Sequence, residues 1–400
     1  MQKPQTRSSA TPVAMLPSRT SPGRIRSLDG LRGVAALSVL LHHSMLLVPT
    51  LAGPYYGQGP AVRWTAEWWL SHTPLHALWE GKAAVYVFFI LSGLVLAQMV
   101  TKGDRFDWRA YYPQRLARLY LPVWAAVLFT VATFWVVPRT GAPSSAWLDE
   151  RPEAITVMAF LKDMTLLLGN GGLASPLWSL RFEILFSLTL PLYMWASRFA
   201  PKLTYVKVVV CLVIITLGGY LNNTTLLYVP MFLIGTLFAT ESERLRSMAN
   251  NIGGHKFGWP VTAGVATLLM ASNGIVGGFG VAPGLQGAMS GLTTIGASLL
   301  VLAATHWAAA RDLLERRTVQ WLGTVSFSLY LVHEPIVVAF GFLFGSNLAI
   351  LAIVVAVVTS LMVAQLFQIF IEKPSHKFSK RLGASLSSKR RSSTREHGIG

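Results

Sequence analysis

Charged residues are scarce in this 400-residue chain: Asp, Glu, Lys and Arg make up 13% of it, whereas hydrophobic residues make up 52%. The mean hydropathy is +0.49. A soluble protein of this length needs a charged surface that such a composition does not supply, so a soluble globular enzyme is excluded. We therefore predict an all-α, polytopic membrane protein.

Cysteine is almost absent, since Cys211 is the only one. A single cysteine excludes an internal disulfide and a cluster of thiolate metal ligands. The sequence also contains no glycine-rich phosphate loop, no GxSxG nucleophile motif and no zinc-type histidine cluster. We accordingly expect no metal cofactor.

Acidic residues are half as numerous as basic ones, 17 against 34, which gives a formal net charge of +17. In a soluble protein this excess would suggest nucleic-acid binding. Here most Lys and Arg fall in the tails and in alternate connections between apolar segments, which is the positive-inside asymmetry of a membrane protein. We expect no nucleic-acid partner, contacts with anionic membrane lipids, and both termini in the cytoplasm.

Apolar segments of helix length fill the centre of the chain and predict about ten transmembrane helices. They lie near 31–49, 83–100, 120–137, 177–196, 206–221, 224–240, 258–272, 287–307, 322–344 and 347–370. Residues 1–26 and 379–400 are rich in Ser and basic residues, which favours disordered cytoplasmic tails. Residues 27–378 are then one membrane-embedded domain.

The first apolar segment carries Arg32 and two adjacent histidines. Ionisable groups in a membrane helix are costly and usually face a cavity or a partner. At about 100° per residue, His43 falls within about 20° of the face of Arg32, whereas His42 falls about 80° away. The rise of roughly 16 Å lets Arg32 lie near one surface while His43 reaches the middle of the bilayer. A snorkelling arginine and a packed histidine are the plain alternative.

Arg115 and Arg118 are spaced i, i+3, so they share one helical face at the cytoplasmic end of the third segment. Guanidinium groups match phosphate oxygens well. The pair therefore predicts a site for a phosphorylated ligand, although the positive-inside rule alone also accounts for it.

Polar residues also interrupt later segments. Glu183 follows Arg181 about one to two turns inside the fourth segment, where a carboxylate needs a partner or a proton. An ion pair between helices is the structural alternative. Tyr330 and His333 share one stripe of the ninth segment, and we expect them to line a cavity together with Ser92 of the second.

These stretches together resemble the acyltransferase 3 family of bacterial integral-membrane O-acyltransferases, from Ser27 to Phe378. The matching motifs, in chain order, are LDGLRGVAALSVLLHH with its Arg32 to His43 spacing, FFILSG at 88–93, RLARLYLP at 115–122, LWSLRFE at 177–183, FSLYLVHEP at 327–335 and FIEKP at 370–374. The chain departs at Tyr86, where members often have an acidic residue, and at Ser187, where they often have Tyr.

The resemblance implies transfer of an acyl group, usually acetyl, from acetyl-CoA on the cytoplasmic side of the inner (plasma) membrane. The acceptor would be a hydroxyl, commonly on a sugar of an envelope or exported polysaccharide. An association with the polysaccharide biosynthesis machinery would fit that role.

Roles for individual residues follow from the same resemblance. Arg115 and Arg118, with help from Arg32, would hold the phosphates of the coenzyme. His43 would act as general base on the acceptor hydroxyl, because the ordinary pKa of histidine suits proton transfer near neutrality. A covalent acyl-histidine is the mechanistic alternative.

Glu183 and His333 would orient groups around the reacting oxygen. Acceptors would enter past the connections at 50–82 and 138–176, the second of which is a plausible lid.

Two other classes of function remain open. A transporter or exporter of a glycan or lipid-linked intermediate would use the same ionisable residues as a proton relay. An envelope scaffold or sensor would tolerate substitution of Arg32 and His43. Neither explains both the paired arginines and the shared face of Arg32 and His43.

Overall fold

The computed structural model describes residues 25–101, 106–140 and 145–396. Across these residues the protein is helical and has no β-strand, so the predicted all-α class is confirmed. Residues 1–24, which make up most of the predicted N-terminal tail, lie outside the described ranges.

The α-helices are numbered in chain order. The first nine are α1 (Arg26–Met45), α2 (Pro49–Ala52), α3 (Ala66–His72), α4 (Gly81–Thr101), α5 (Trp108–Val136), α6 (Ala146–Asp149), α7 (Val157–Thr165), α8 (Leu177–Arg198) and α9 (Thr204–Tyr220). The others are α10 (Thr224–Thr240), α11 (Ser242–Gly253), α12 (Gly258–Met270), α13 (Ser272–Gly277), α14 (Pro283–Ala288), α15 (Ser290–His306), α16 (Ala308–Leu314), α17 (Arg317–Phe344), α18 (Ala349–Phe367) and α19 (Lys373–Glu396). A π-helical turn, Gln368–Glu372, joins α18 to α19.

The centre of the bundle is built on α1, which packs against α17 and α4. Glycines allow the α1–α17 backbones to approach closely, as is common between membrane helices. A Cβ atom added to Gly33 would lie 2.4 Å from the backbone nitrogen of Gly323. This contact brings the far end of α1, with its two histidines, against the middle of α17.

Helix α4 approaches α10 in the same way. A Cβ on Gly93 would lie 2.9 Å from the Cα of Gly235, and a Cβ on Gly235 would lie 2.1 Å from the carbonyl oxygen of Ile90. Any side chain at either glycine would therefore force the two helices apart. The preceding residue, Ser92, is turned towards α8 instead.

The number of helices able to cross a membrane is six, or eight if each of two bent pairs counts as one span. This count refers to the described residues and rests on length and composition. The six are Gly81–Thr101, Trp108–Val136, Pro201–Tyr220, Pro283–His306, Arg317–Phe344 and Ser346–Ser387. The bent pairs are Arg26–Met45 with Pro49–Tyr56 and Thr224–Thr240 with Ser242–Gly253.

Four of the ten predicted segments lie outside the six: those at 31–49 and 224–240 belong to the bent pairs, and those at 177–196 and 258–272 are too polar or too short. The helix at 258–272 is α12, whose 13 residues reach only about 20 Å, short of a hydrocarbon core of about 30 Å. Helix α8 has 22 residues but carries the charges of Arg181 and Glu183. The segment at 31–49 ends early: α1 stops at Met45, and the chain bends by 115° into the next helix.

Helix α19 replaces part of the predicted C-terminal tail. The composition favoured disorder from residue 379, whereas the structure continues the helix through Glu396. Its first turns pack along α5, and Gly383 lies close to the side chain of Gln114. Composition alone could not predict this helix, because its packing on α5 depends on the tertiary structure.

Candidate active site

The two histidines that the sequence singled out on different helices meet in the structure. Nδ1 of His43, near the end of α1, lies 2.9 Å from Nε2 of His333 on α17. The rings are stacked with centroids 5.1 Å apart. His333 is completely buried, whereas His43 lines a cavity of about 480 Å³, which we call the histidine cavity.

Hydrogen bonding determines which nitrogen of each neutral ring carries the proton. Nδ1 of His333 lies 2.9 Å from the carbonyl oxygen of Leu329, and a carbonyl can only accept, so this Nδ1 is protonated. Nε2 of His333 is then an acceptor, and the Nδ1–H group of His43 donates a hydrogen bond to it. The remaining nitrogen of His43, Nε2, keeps its lone pair, which is the arrangement that a general base requires.

His42 is held by different contacts, although it lines the same cavity as His43. Its side chain is only 8% exposed, and its Nδ1 donates to the carbonyl oxygen of Trp79 across 3.1 Å. The backbone of Gly81 at the start of α4 packs directly on its ring. These contacts make His42 part of the wall of the histidine cavity.

The connection at 138–176 reaches over His43. Trp147 of α6 stacks on the His43 ring with centroids 5.6 Å apart. The carboxylate of Glu334, 1% exposed, accepts from Arg151 across 2.9 Å and from the hydroxyl and backbone nitrogen of Ser175, each across 2.6 Å. Arg151 and Ser175 of this segment are thereby bonded to Glu334 of α17, the residue next to His333.

A buried ion pair supports the opposite wall, outside the membrane-spanning helices. His76 bonds to Glu80 and to the hydroxyl of Tyr55, 3.0 Å away, and Tyr55 lines the cavity. Burial acts to raise the pKa of Glu80, but the charge and hydrogen bond of His76 outweigh it and lower that pKa to about 2. The carboxylate therefore stays ionised at every pH near neutrality.

A second cavity, of about 790 Å³, lies at the other end of α1. We call it the basic cavity, because it is lined by Arg32, Arg115, Arg118, Lys373, Lys377 and Lys380, with Asp29, Glu183 and Glu372 as its acidic residues. Arg115 and Arg118 lie on α5, whose start is capped by the side chain of Asp107.

Arg115 is not a free phosphate ligand. Its Nη2 lies 2.5 Å from Oε1 of Glu183, and its Nε donates to Ser187 across 3.2 Å. The same carboxylate oxygen accepts from Ser92 across 3.1 Å. Arg118, by contrast, makes no hydrogen bond within the described ranges and is open to the cavity, so it can contact an anion directly.

The comparison with known families follows this geometry. The model of an acyltransferase domain, that of the acyltransferase 3 family, matches residues 25–369. The chain belongs to the acyltransferase 3 family.

Two curated relatives are acyltransferases. The acyltransferase MdmB of Streptomyces mycarofaciens is 30% identical over 179 residues, which are 44% of this chain and 41% of that protein. The O-acetyltransferase PaAT-1 of Phomopsis amygdali is 25% identical over 380 residues, covering 80% of this chain and 73% of that protein. No solved structure matches. The family and these relatives support O-acyltransferase activity.

In this acyltransferase 3 protein the predicted site residues fall into two groups. His43 lines the histidine cavity, whereas Arg32, Arg115, Arg118, Ser92 and Glu183 line the basic cavity. His333 was expected to line a cavity, but it is fully buried and contacts His43 from behind. Tyr330 lines both, as does Val85. Glu183 is thus placed with Arg115 and Ser92, and the structure does not bring it to His43 as the sequence reasoning expected.

Tyr330 forms part of the wall between the cavities. Its hydroxyl donates to the carbonyl oxygen of Pro176 across 3.0 Å and lies 2.6 Å from the hydroxyl of Ser179. The tyrosine is thereby fixed to the start of α8. Because Val85 and Tyr330 line both cavities, a ligand that extends from one cavity to the other would pass beside them.

Two features escaped the sequence reasoning. Glu334 is a carboxylate in an apolar segment, directly after His333, and that position alone should have marked it as functional. Lys373, Lys377 and Lys380 follow an i, i+4, i+7 pattern that predicts one helical face. Among the described residues, no group of three His, Cys, Asp or Glu side chains is arranged to hold a metal ion.

The positions that depart from the family pattern have structural partners here. Ser187 accepts from Arg115 and donates to the carbonyl oxygen of Glu183 across 2.7 Å. The hydroxyl of Tyr86 donates to Ser290 across 3.0 Å. Ser187 therefore supports the Arg115–Glu183 pair, and Tyr86 joins α4 to α15.

Proposed function

We propose that this protein is a membrane O-acyltransferase that moves an acyl group, in the first instance acetyl, from acyl-CoA to a hydroxyl of a sugar in an envelope or exported polysaccharide. The observation that carries the proposal is the chain from Leu329 through His333 to His43. It leaves one unprotonated imidazole nitrogen in a cavity, ready to take a proton from a hydroxyl.

The chemical step uses that nitrogen. As the acceptor oxygen bonds to the carbonyl carbon of the thioester, its proton passes to Nε2 of His43. The carbon–sulfur bond then breaks, and the departing thiolate takes the proton back, so His43 returns to its starting state. His333 holds the ring in the required tautomer and can share the positive charge that forms on it.

The donor is assigned to the basic cavity. Coenzyme A carries several phosphate charges, and the cations of Arg118, Lys373, Lys377 and Lys380 exceed what the nearby carboxylates neutralise. Its long flexible arm would carry the thioester past Val85 and Tyr330 to His43. Arg115 contributes by fixing Glu183 rather than by binding phosphate.

The topology follows the charge distribution. We propose that both termini and the basic cavity face the cytoplasm of the plasma membrane, because Lys and Arg concentrate on that side. The polar α8 and the short α12 would be embedded with the longer helices, which restores about ten membrane segments. The histidine cavity then opens on the opposite side, where the polysaccharide machinery would deliver the acceptor.

Purified protein in detergent provides the test. With acetyl-CoA labelled in its acetyl group, we expect transfer to a hydroxyl-bearing sugar and loss of transfer in His43→Ala. Transport requires two separated compartments and predicts no labelled ester in detergent. An inactive preparation that nevertheless moves glycans across vesicles would reject the proposal.

The donor site is tested separately by calorimetry with coenzyme A. Arg118→Gln removes a charge-assisted contact and should weaken binding by about tenfold or more. Arg109→Gln is the matched control, because Arg109 lies on α5 about two and a half helical turns before Arg118 and does not line the cavity. Equal affinities in the two variants would count against the phosphate site.

A further inference from the structure

The charged side chains that line the histidine cavity are cations. They are Lys82, Arg151 and Arg181. His42 and His43 also line it, and among the described residues no Asp or Glu does. The nearby carboxylates of Glu80 and Glu334 are buried behind the wall. A wall of this kind raises the electrostatic potential inside the cavity, because the surrounding apolar groups screen charge poorly.

The cations of the histidine cavity need an explanation other than membrane topology. Most Lys and Arg residues fall in the tails and connections for which the charge pattern predicts the opposite side of the membrane. The positive-inside tendency therefore does not explain cations here. Arg151 has a structural reason, since it is paired with Glu334. Lys82 and Arg181 are exposed, and within the described ranges neither side chain makes a hydrogen bond or ion pair.

Aromatic rings form much of the remaining wall. Tyr55, Tyr56, Trp147, Trp178 and Tyr228 line the same cavity. Such rings offer flat apolar faces to a sugar and polar atoms at their edges. They would also attract a cation, but the positive charges beside them repel one, so a cationic ligand is disfavoured.

We propose that the acceptor bound in the histidine cavity is an anionic sugar, whose carboxylate or phosphate is held by Lys82 and Arg181 while a hydroxyl faces His43. Calling this ligand the acceptor rests on the proposed function. The charge preference of the cavity does not, and it can be measured without acyl transfer.

The first measurement follows chemical labelling of Lys82. Purified protein in nanodiscs is treated with an amine-acetylating ester, and modification of Lys82 is followed by mass spectrometry with Lys162 as internal reference.

Methyl glucuronide and methyl glucoside differ in a carboxylate at one carbon. We expect the glucuronide, or glucose 1-phosphate, to slow labelling of Lys82 by about tenfold relative to the glucoside, as a charge-assisted contact allows. Arg181→Gln should remove most of this protection, and Arg63→Gln, an exposed cation outside the cavity, should not.

The lipid composition of the nanodisc separates a sugar from a lipid headgroup. Protection of Lys82 by phosphatidylglycerol in place of phosphatidylcholine, with no added effect of either anionic sugar, would overturn the proposal. So would equal protection by glucoside and glucuronide, or protection by none of the probes.

The second measurement compares acetyl transfer to the same sugars. We expect a lower KM for the glucuronide than for the glucoside, and a rise in KM for the glucuronide alone in Lys82→Gln. Protection without transfer would keep the anionic site and reject the proposed function. Transfer to both sugars with equal KM would keep the function and reject the anionic site.

Discussion

Replacement of His333 tests the hydrogen-bonded chain behind His43. In His333→Phe the ring volume is largely retained, but the acceptor for the Nδ1 proton of His43 is lost. His43 can then adopt the other neutral tautomer, in which the nitrogen facing the cavity is already protonated and cannot act as a base. The variant should therefore lose activity without losing its fold.

The size of the loss follows from the geometry. A hydrogen bond of 2.9 Å between the buried ring of His333 and the partly buried ring of His43 is removed. Leaving a buried donor unsatisfied costs about 1–3 kcal/mol. That corresponds to a drop of about 5- to 150-fold in kcat/KM. His43→Ala, which removes the base itself, should lose more activity than the upper end of this range.

The control is His333→Gln. A glutamine amide oxygen can take the place of Nε2 and accept the same proton, so this variant should recover much of the activity that His333→Phe loses. Acetyl transfer is measured with purified protein at saturating acetyl-CoA, and coenzyme A affinity is measured in parallel. Equal activity of the Phe variant and the wild type, or equal loss in Phe and Gln at equal folded amounts, would refute the tautomer argument.

Three further predictions concern other parts of the site. His43→Ala should abolish transfer whereas His42→Ala keeps most of it, and equal losses at equal membrane abundance would contradict the separate roles of the two rings. Val85→Phe should narrow the space between the cavities. Coenzyme A affinity, measured by calorimetry, should stay within about twofold, while the rate of transfer should fall by up to about 100-fold, as is typical when reacting groups are misplaced by about an ångström. An unchanged rate of transfer would show that the pantetheine arm of the coenzyme does not pass there. The pKa of Glu80 is lowered to about 2 in the folded protein from an ordinary value of 4.5, so its ionised form contributes stability above about pH 4.5 that is lost as the pH falls towards 2. As the pH falls over that interval, the thermal unfolding temperature should decline more steeply in the wild type than in Glu80→Gln. Parallel declines in the two proteins would argue against the His76–Glu80 pair as the cause.

The separation of the two cavities has a mechanistic consequence. In the proposed reaction, a donor held among the cations of the basic cavity and an acceptor held beside His43 would meet near Val85 and Tyr330, which line both cavities. Because Tyr330 is fixed by Pro176 and Ser179 at the start of α8, movement of α8 would change the passage. The Arg115–Glu183 pair joins α8 to α5, so it ties that passage to the donor side.

The amino-acid sequence alone determined the class of protein, because a composition with 52% hydrophobic residues cannot build a soluble surface. It also determined local relationships that depend on helical periodicity: Arg115 and Arg118 share a helix, and both line the basic cavity. The motifs that resemble the acyltransferase 3 family were sufficient to predict the family that the comparison confirmed.

Only the tertiary structure decided which distant residues meet. His43 and His333 are 290 positions apart, and their contact depends on the close approach of α1 and α17 at Gly33 and Gly323, which no local periodicity encodes. Glu183 was expected beside the catalytic histidine, but the rotation of α8 in the bundle turns it to Arg115. The number of spans differed for a similar reason, since average hydropathy does not detect the 115° bend after Met45. Patterns along the chain report the face of a helix, whereas packing between helices determines what that face contacts.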